Sequence, residues 1–432
     1  MKLELIKKNI NKILYSLLFA VVALIFIVQF VESYFEIPGD KWAYKELFIN
    51  YSGGMIRRGL LGSIFLKLNN NIGIEPLHFY STFFVLGYSI SLFFYYKLLK
   101  KFQNFHLIYI FILFSPALIL FNIYDTNTYL TKDIFSNLTI LLHCYYINKE
   151  KNNFKIYKYN NFLLFLLIPF LSINILNHEI QFFFIGIHLL LSSYVYRSYG
   201  IPKKDQKNFY YIITLVPLAI ILFSPGSWDK VEIINNSVKI FDVSVNDQLA
   251  GNINLALGGF IKWHFIYHGI HSFIKLFLCI ILSLFIFYVF FQYLISKNIL
   301  IIKNHFKFRY YYYYLPIIFI FLLAVDHGRN INLLLTHMVS FFLVLDLNEN
   351  KLKSFYYKLN KNLILKNILI SFLFFYIFLW YLPQGGGYGG VGQFNDGSSI
   401  LKNTLFNEIK NIFMIVYDFV DSRIINLPRV IV

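Results

Sequence analysis

Residues 161–196 read NFLLFLLIPFLSINILNHEIQFFFIGIHLLLSSYVY. Two apolar runs, 161–176 and 180–196, are separated only by Asn177-His178-Glu179. A hydrocarbon core about 30 Å thick takes roughly 20 apolar residues of helix to cross. Two such runs joined by almost no loop predict a pair of antiparallel spans with ionisable groups at their shared turn.

The same pattern recurs on both sides. Further runs at 13–31, 79–96, 106–122, 134–147, 209–225, 272–294, 311–326, 331–347 and 367–382 bring the expected spans to eleven. Of the 432 residues 58% are apolar, 20% aromatic and only 14% charged, against about a quarter charged in a soluble domain. This balance excludes soluble globular, disordered, collagenous and disulfide-scaffold classes. Cys144 and Cys279 lie in separate apolar runs and indicate neither a disulfide framework nor a zinc site. The fold class expected is all-α: a polytopic transmembrane helical bundle, residues 1–383, followed by a Gly-rich linker and amphipathic tail, 384–432. The first span is too long for a signal-peptide core and lacks a small-x-small cleavage pattern. No solenoid-length repeat is visible.

Orientation follows from the loops. With the N-terminus in the cytoplasm, the inside segments are 1–12, 97–105, 148–160, 197–208, 295–310 and 348–366. They hold 24 of the 39 Lys+Arg and 4 of the 22 Asp+Glu, while the rest of the chain holds 15 and 18. A net of +20 inside against −3 elsewhere places the N-terminus in and the C-terminus out. The overall +17 is then a topology signal and a contact for anionic lipids, not a nucleic-acid surface. Trp42, Trp263, Trp380 and Tyr381 sit where an interfacial aromatic belt belongs.

The outside face collects what spanning does not require. Loop 32–78 contains Ser52-Gly53-Gly54-Met55-Ile56-Arg57-Arg58-Gly59-Leu60-Leu61-Gly62. Adjacent guanidinium forks match phosphate oxygens, and glycines permit close backbone approach; the competing reading is an interfacial turn with snorkelling arginines. The segment 124–133 offers Asp125, Asn127 and Lys132 for hydrogen bonds to sugar hydroxyls, although Asp and Thr there also suit helix caps. His178 and Glu179 are proton-transfer groups near membrane depth, but Phe182 stands where a His-Glu-x-x-His zinc motif needs its second histidine. In Asp326-His327-Gly328-Arg329-Asn330, Asp326 either pairs with Arg329 or orients it toward an anion. Loop 226–271 carries His264, His268 and His271 at helical spacing, which reads as an amphipathic approach to the next span more readily than as a metal site. The tail opens with Gln384-Gly385-Gly386-Gly387-Tyr388-Gly389-Gly390, a flexible linker without the Gly-Lys-Ser/Thr of a phosphate loop. Beyond it Leu401, Leu405, Ile409, Ile412, Val416 and Phe419 mark an amphipathic helix on the outer face.

Arginines, carboxylates and polar loops on one face imply an anionic, membrane-associated, carbohydrate-bearing substrate, for which a lipid-linked diphosphate sugar is the natural fit. Arg57, Arg58 and Arg329, with Gly53 and Gly54, are expected to hold the diphosphate. Glu179, His178 and Asp326, in that order, are expected to serve as base; Asp125, Asn127 and Lys132 are expected to bind glycan. No metal is required where guanidinium groups neutralise the developing charge.

The segments 52–62, His178-Glu179 and 326–329 resemble polytopic proteins of bacterial surface-polysaccharide clusters, the O-antigen or capsule repeat-unit polymerases. That resemblance implies transfer of a growing undecaprenyl-diphosphate-linked glycan onto an incoming lipid-linked unit at the outer face of the bacterial plasma membrane. Its partners would be the lipid-linked glycan, membrane lipids and other polysaccharide-assembly membrane proteins. Many such polymerases carry two large arginine-rich external loops, whereas 226–271 has no arginine. C-type membrane glycosyltransferases look similar in span number and place catalytic acidic residues in the first outside loop, where this chain has Glu32, Glu36, Asp40 and Glu46; they imply a polyprenyl-monophosphate donor and usually a divalent metal. A third reading, a lipid-linked oligosaccharide flippase, lacks the expected duplicated halves and the polar residues at mid-membrane depth.

Overall fold

In the computed structural model, the residues described are 42–102, 105–121, 131–224, 228–245, 280–301, 327–378 and 382, with scattered positions between 13 and 27. They are mostly helical. Long apolar stretches leave the backbone no better partner than itself, even across Gly87, Pro169 and Gly186. A short helix α1 (Trp42–Leu47) and α2 (Leu60–Ile72) lead into α3 (Pro76–Leu99), which starts on a proline whose missing N–H costs nothing at a helix N-terminus. After α4 (His106–Leu113) comes α5 (Asp133–Glu150). The antiparallel pair expected from residues 161–196 is formed by α6 (Ile156–Asn177) and α7 (Glu179–Ser198), with His178 extended between them. A 3-10 turn, Asn208–Thr214, runs into α8 (Leu215–Leu222); α9 (Trp228–Val238) and α10 (Ile281–Ser296) follow. A two-residue antiparallel ladder pairs β1 (Leu300–Ile301) with β2 (Asp346–Leu347), flanking α11 (His327–Val344); α12 (Glu349–Lys361) and α13 (Leu363–Phe378) complete the described chain.

Three helices, Pro76–Phe102, Ile156–Asn177 and Glu179–Ser198, are long and apolar enough to cross a membrane, and Ile281–Ser296 and Leu363–Ile377 are shorter apolar helices. Phe165, Ile212, Phe223, Phe285, Ile364 and Phe375 turn large apolar side chains outward, the surface a lipid solvent accepts and water does not. The spans expected at 13–31 and 311–326 fall wholly or largely outside the described residues.

One expected span differs. The run 106–122 is broken: α4 ends at Leu113, and 116–120 form turns. Pro116 disfavours a helical conformation at Ser115. Ala117 and Leu118 are nevertheless fully buried, and Asn332 of α11 donates its Nδ2 to both of their carbonyls, at 3.0 and 2.7 Å. This irregular backbone survives burial because protein supplies its hydrogen bonds.

The bundle is centred on α5, buried along most of its length and packed against α3, α6, α7 and α11. Rings fill much of the core: Phe48, Phe65, Tyr80 and Phe84 at one end, Phe111, Phe287 and Tyr376 elsewhere. The two ends differ chemically. One gathers Lys101, which donates to Leu345 O at 2.8 Å, and Lys151, ion-paired with Asp346. The other gathers the groups described next.

Candidate functional site

Four segments far apart in sequence meet at the ends of α5, α7 and α11. The first is the loop between α1 and α2. Its glycines shape it. A Cβ on Gly62 would strike the Ile49 carbonyl, and one on Gly59 the Tyr51 ring. Gly54 has φ +94°, and its N–H is spent on Tyr51 O at 3.0 Å; Gly53 lies against the Lys230 backbone of α9. Gly53 and Gly54, expected to help hold a diphosphate, close a turn that presents the two arginines.

Arg58, at φ +66°, donates from Nε to both oxygens of Glu179 at 3.2 and 3.1 Å, from Nη2 to Glu179 Oε1 at 2.8 Å, and from Nη1 to Glu46 Oε1 at 3.3 Å. Arg57 Nη1 reaches the same Glu179 Oε1 at 3.0 Å. Arg329, in the first turn of α11, donates from Nε to Asp133 Oδ2 at 2.6 Å, and its Nη2 lies 3.4 Å from His178 Nε2. Lys132 is 1% exposed and donates to the backbone carbonyls of Arg58 and Glu46 at 2.8 and 3.3 Å. Here it acts as a strut under the arginine turn.

Electrostatics follow from this packing. Burial pushes the Glu46 carboxyl up, but Arg58 and Lys132 outweigh it and hold the group at about 2. Burial lowers the Lys132 ammonium to about 8 against the pull of Glu46. Burial, reinforced by Arg58, lowers the His178 imidazole to about 4, so it is neutral at physiological pH. Among the described residues the cluster holds four cations, Arg57, Arg58, Lys132 and Arg329, against three carboxylates, Glu46, Asp133 and Glu179. The helix N-termini at Asp133 and His327 add partial positive charge.

Arg57, Arg58, Glu179, His178 and Arg329 thus come together as the sequence reading required. In this arrangement both oxygens of Glu179 are engaged by guanidinium groups, which makes it an anchor of the clamp. The carboxylate facing Arg329 is Asp133. Asp326, Asp125 and Asn127 lie outside the described residues, as do Glu32, Glu36, Asp40, the three histidines of 264–271 and the tail. Among the described residues no group of three His, Cys, Asp or Glu side chains is arranged to hold a metal ion.

Two features escaped the sequence reading. Asp133 is buried, and its second oxygen, Oδ1, has no hydrogen-bond partner among the described residues. The polar groups are also not confined to one end. His143, His188 and His337 are buried in the bundle interior with Tyr159 and Ser192. Each is an ionisable letter in a largely apolar run, and that cost of placement was the available signal.

No protein-family model, curated protein or solved structure matches the chain.

Proposed function

We propose that this chain is a plasma-membrane enzyme of about eleven spans, the one at 106–122 broken, N-terminus in, that joins undecaprenyl-diphosphate-linked oligosaccharide repeat units at the outer face. The observation that carries this reading is the convergence of Arg57, Arg58 and Arg329 around Glu179 and His178. Forked donors held by carboxylates are pre-aligned for phosphate oxygens, so binding does not have to order them. In the reaction the acceptor hydroxyl attacks the anomeric carbon of the growing chain. The bond from that carbon to the diphosphate breaks, and the electron pair leaves with undecaprenyl diphosphate. The guanidinium groups stabilise that departing charge. The hydroxyl proton goes to Asp133 Oδ1, a buried carboxylate oxygen of the cluster with no donor on it among the described residues. His178 has one lone pair when neutral, yet it faces both Arg329 Nη2 and the Ile180 amide. A substrate oxygen between His178 and Arg329 relieves that mismatch.

One observation favours a second reading, a C-type transferase of single sugars from a polyprenyl-phosphate donor. Glu46, in the first outside loop, sits against Arg58, where that alternative puts an acidic residue. Gel analysis of surface glycans after gene deletion separates the two: caps of a single repeat unit support the polymerase, and truncated or missing units support the transferase. Surface polymer of unchanged length overturns both.

A further inference from the structure

The three histidines in the bundle interior belong to a continuous polar column. His143 Nδ1 of α5 lies 3.1 Å from His188 Nδ1 of α7, with the rings nearly parallel. Two imidazole nitrogens at that distance share one proton between them. His143 Nε2 is 2.9 Å from the Tyr159 hydroxyl of α6, which is 3.0 Å from Ser192 Oγ, which is 2.9 Å from the Tyr211 hydroxyl. Toward the arginine cluster, the His188 and His337 rings meet edge to face with centroids 6.0 Å apart. His337 Nδ1 donates to Leu333 O at 2.7 Å, which leaves its Nε2 lone pair toward Ser136 Oγ at 3.4 Å. Ser136 is one helical turn from Asp133 on the same face of α5. Tyr211 belongs to the 3-10 turn Asn208–Thr214, which follows α7 and begins next to Lys207.

The column from Tyr211 to His188 has two self-consistent polarities. In one, Tyr211 donates to Ser192, Ser192 to Tyr159, Tyr159 to His143 Nε2, and His143 Nδ1–H to His188 Nδ1. In the other every bond is reversed, and Tyr211 donates to the His188 carbonyl, 3.2 Å away. Passing from the first to the second takes one proton in at Tyr211 and releases one from His188 Nε2, with every intermediate group giving one proton and gaining one. Two steps lack a direct hydrogen bond, His188 to His337 and Ser136 to Asp133, and a swing of one side chain or a single bridging water closes each. Burying three imidazoles and two phenols in this way is costly, and chains of such groups at membrane depth mark proton routes.

We propose that the column Tyr211–Ser192–Tyr159–His143–His188–His337–Ser136 conducts protons between the two ends of the bundle, ending at Asp133. This goes beyond the glycosyl-transfer reading. It requires that the bundle span a bilayer and says nothing of the substrate.

The test uses the full chain, purified and reconstituted into vesicles loaded with potassium, with valinomycin setting an inward-driving potential and a pH-sensitive dye reporting proton entry. Wild-type vesicles should acidify faster than protein-free ones. Tyr159→Phe, which removes one hydroxyl and keeps the ring, should lower that rate at least tenfold, and Ser192→Ala should do the same if Tyr159→Phe does not elute as the wild type on size exclusion. Wild-type vesicles that acidify no faster than empty ones overturn the proposal. So do folded variants that conduct at the wild-type rate. Polymer synthesis does not enter the measurement, so the glycosyl-transfer reading stands or falls separately.

Discussion

Replacing Arg58 with alanine tests whether the arginine cluster is a coupled unit. The guanidinium holds Glu179 at 2.8 Å and Glu46 at 3.3 Å. Arg57 remains to satisfy Glu179. Glu46 is 1% exposed and is left with no ion-pair partner of its own. Breaking one side of a buried pair costs about 3–5 kcal/mol, because the surviving charge stays desolvated. Unfolding entropy of about 2.1 cal/mol/K per residue over the chain's length puts 4 kcal/mol at a fall of roughly 4 °C in Tm. Adding Glu46→Gln removes the stranded charge. The double variant should therefore unfold no lower than Arg58→Ala and recover about 1–2 kcal/mol, a coupling of ordinary size for residues in contact. Arg58→Lys should keep most of the stability yet lose polymer, because an ammonium cannot span two carboxylates or two phosphate oxygens as the fork does. Fluorescence-detected size exclusion over a temperature series reads stability, and gel profiles of surface glycan read activity. An Arg58→Ala/Glu46→Gln protein that melts well below Arg58→Ala would refute the coupling, and full-length polymer from Arg58→Lys would refute the forked clamp.

Stability should depend on pH in three windows. Glu46, held at about 2, contributes about 3 kcal/mol that is present above the usual carboxylate range and lost as pH falls toward 2. His178, lowered to about 4, makes the fold weaken as pH drops from 6.5 to 4, because only the unfolded chain takes the proton freely. Lys132, lowered to about 8, makes stability rise between pH 8 and 10.5, and Lys132→Met should abolish that alkaline rise; a melting series across pH checks all three. Asn332→Leu strands the Ala117 and Leu118 carbonyls and should cost about 2–4 kcal/mol in the same melting assay. Gly62→Ala drives a Cβ into the Ile49 carbonyl and should lower both Tm and polymer, whereas Gly87→Ala meets Ile134 at 3.5 Å, an ordinary contact, and should melt like the wild type.

How far the sequence carried the reading depends on which physics each feature obeys. Hydropathy and loop charge are one-dimensional, and they were enough to set Arg57-Arg58, His178-Glu179 and Arg329 at one end, where they meet. The turn at 177–179 was legible for the same reason. The break after Leu113 was not, because a proline inside an apolar run signals a kink or a stop equally well, and only Asn332, more than two hundred residues away, makes the stop affordable. Asp133 resembled a helix cap until Arg329 stood beside it. His143, His188 and His337 each look incidental on one helix and acquire meaning only by adjacency across three.

Under the proposed glycosyl transfer, the charge count of the cluster constrains how the reaction would proceed. Four cations facing three carboxylates leave a surplus of one, too little to neutralise a diphosphate that carries two. As the diphosphate enters, the site turns net negative, and like charges in a poorly solvated volume favour taking up a proton. The acceptor hydroxyl supplies that proton when it is deprotonated. On that proposal substrate binding and base strength would be linked: a lipid-linked anion would raise the proton affinity of the carboxylates around it as the nucleophile arrives. A site with a large cationic excess would bind the diphosphate more tightly and lose this coupling, and the same excess would hold the undecaprenyl diphosphate product. Converting Glu46 to Gln adds one net positive charge without removing a guanidinium. It should tighten product binding and slow turnover, seen as a lower kcat with a lower KM in membranes given lipid-linked repeat units. A raised kcat would show that the carboxylates only hold the arginines in place.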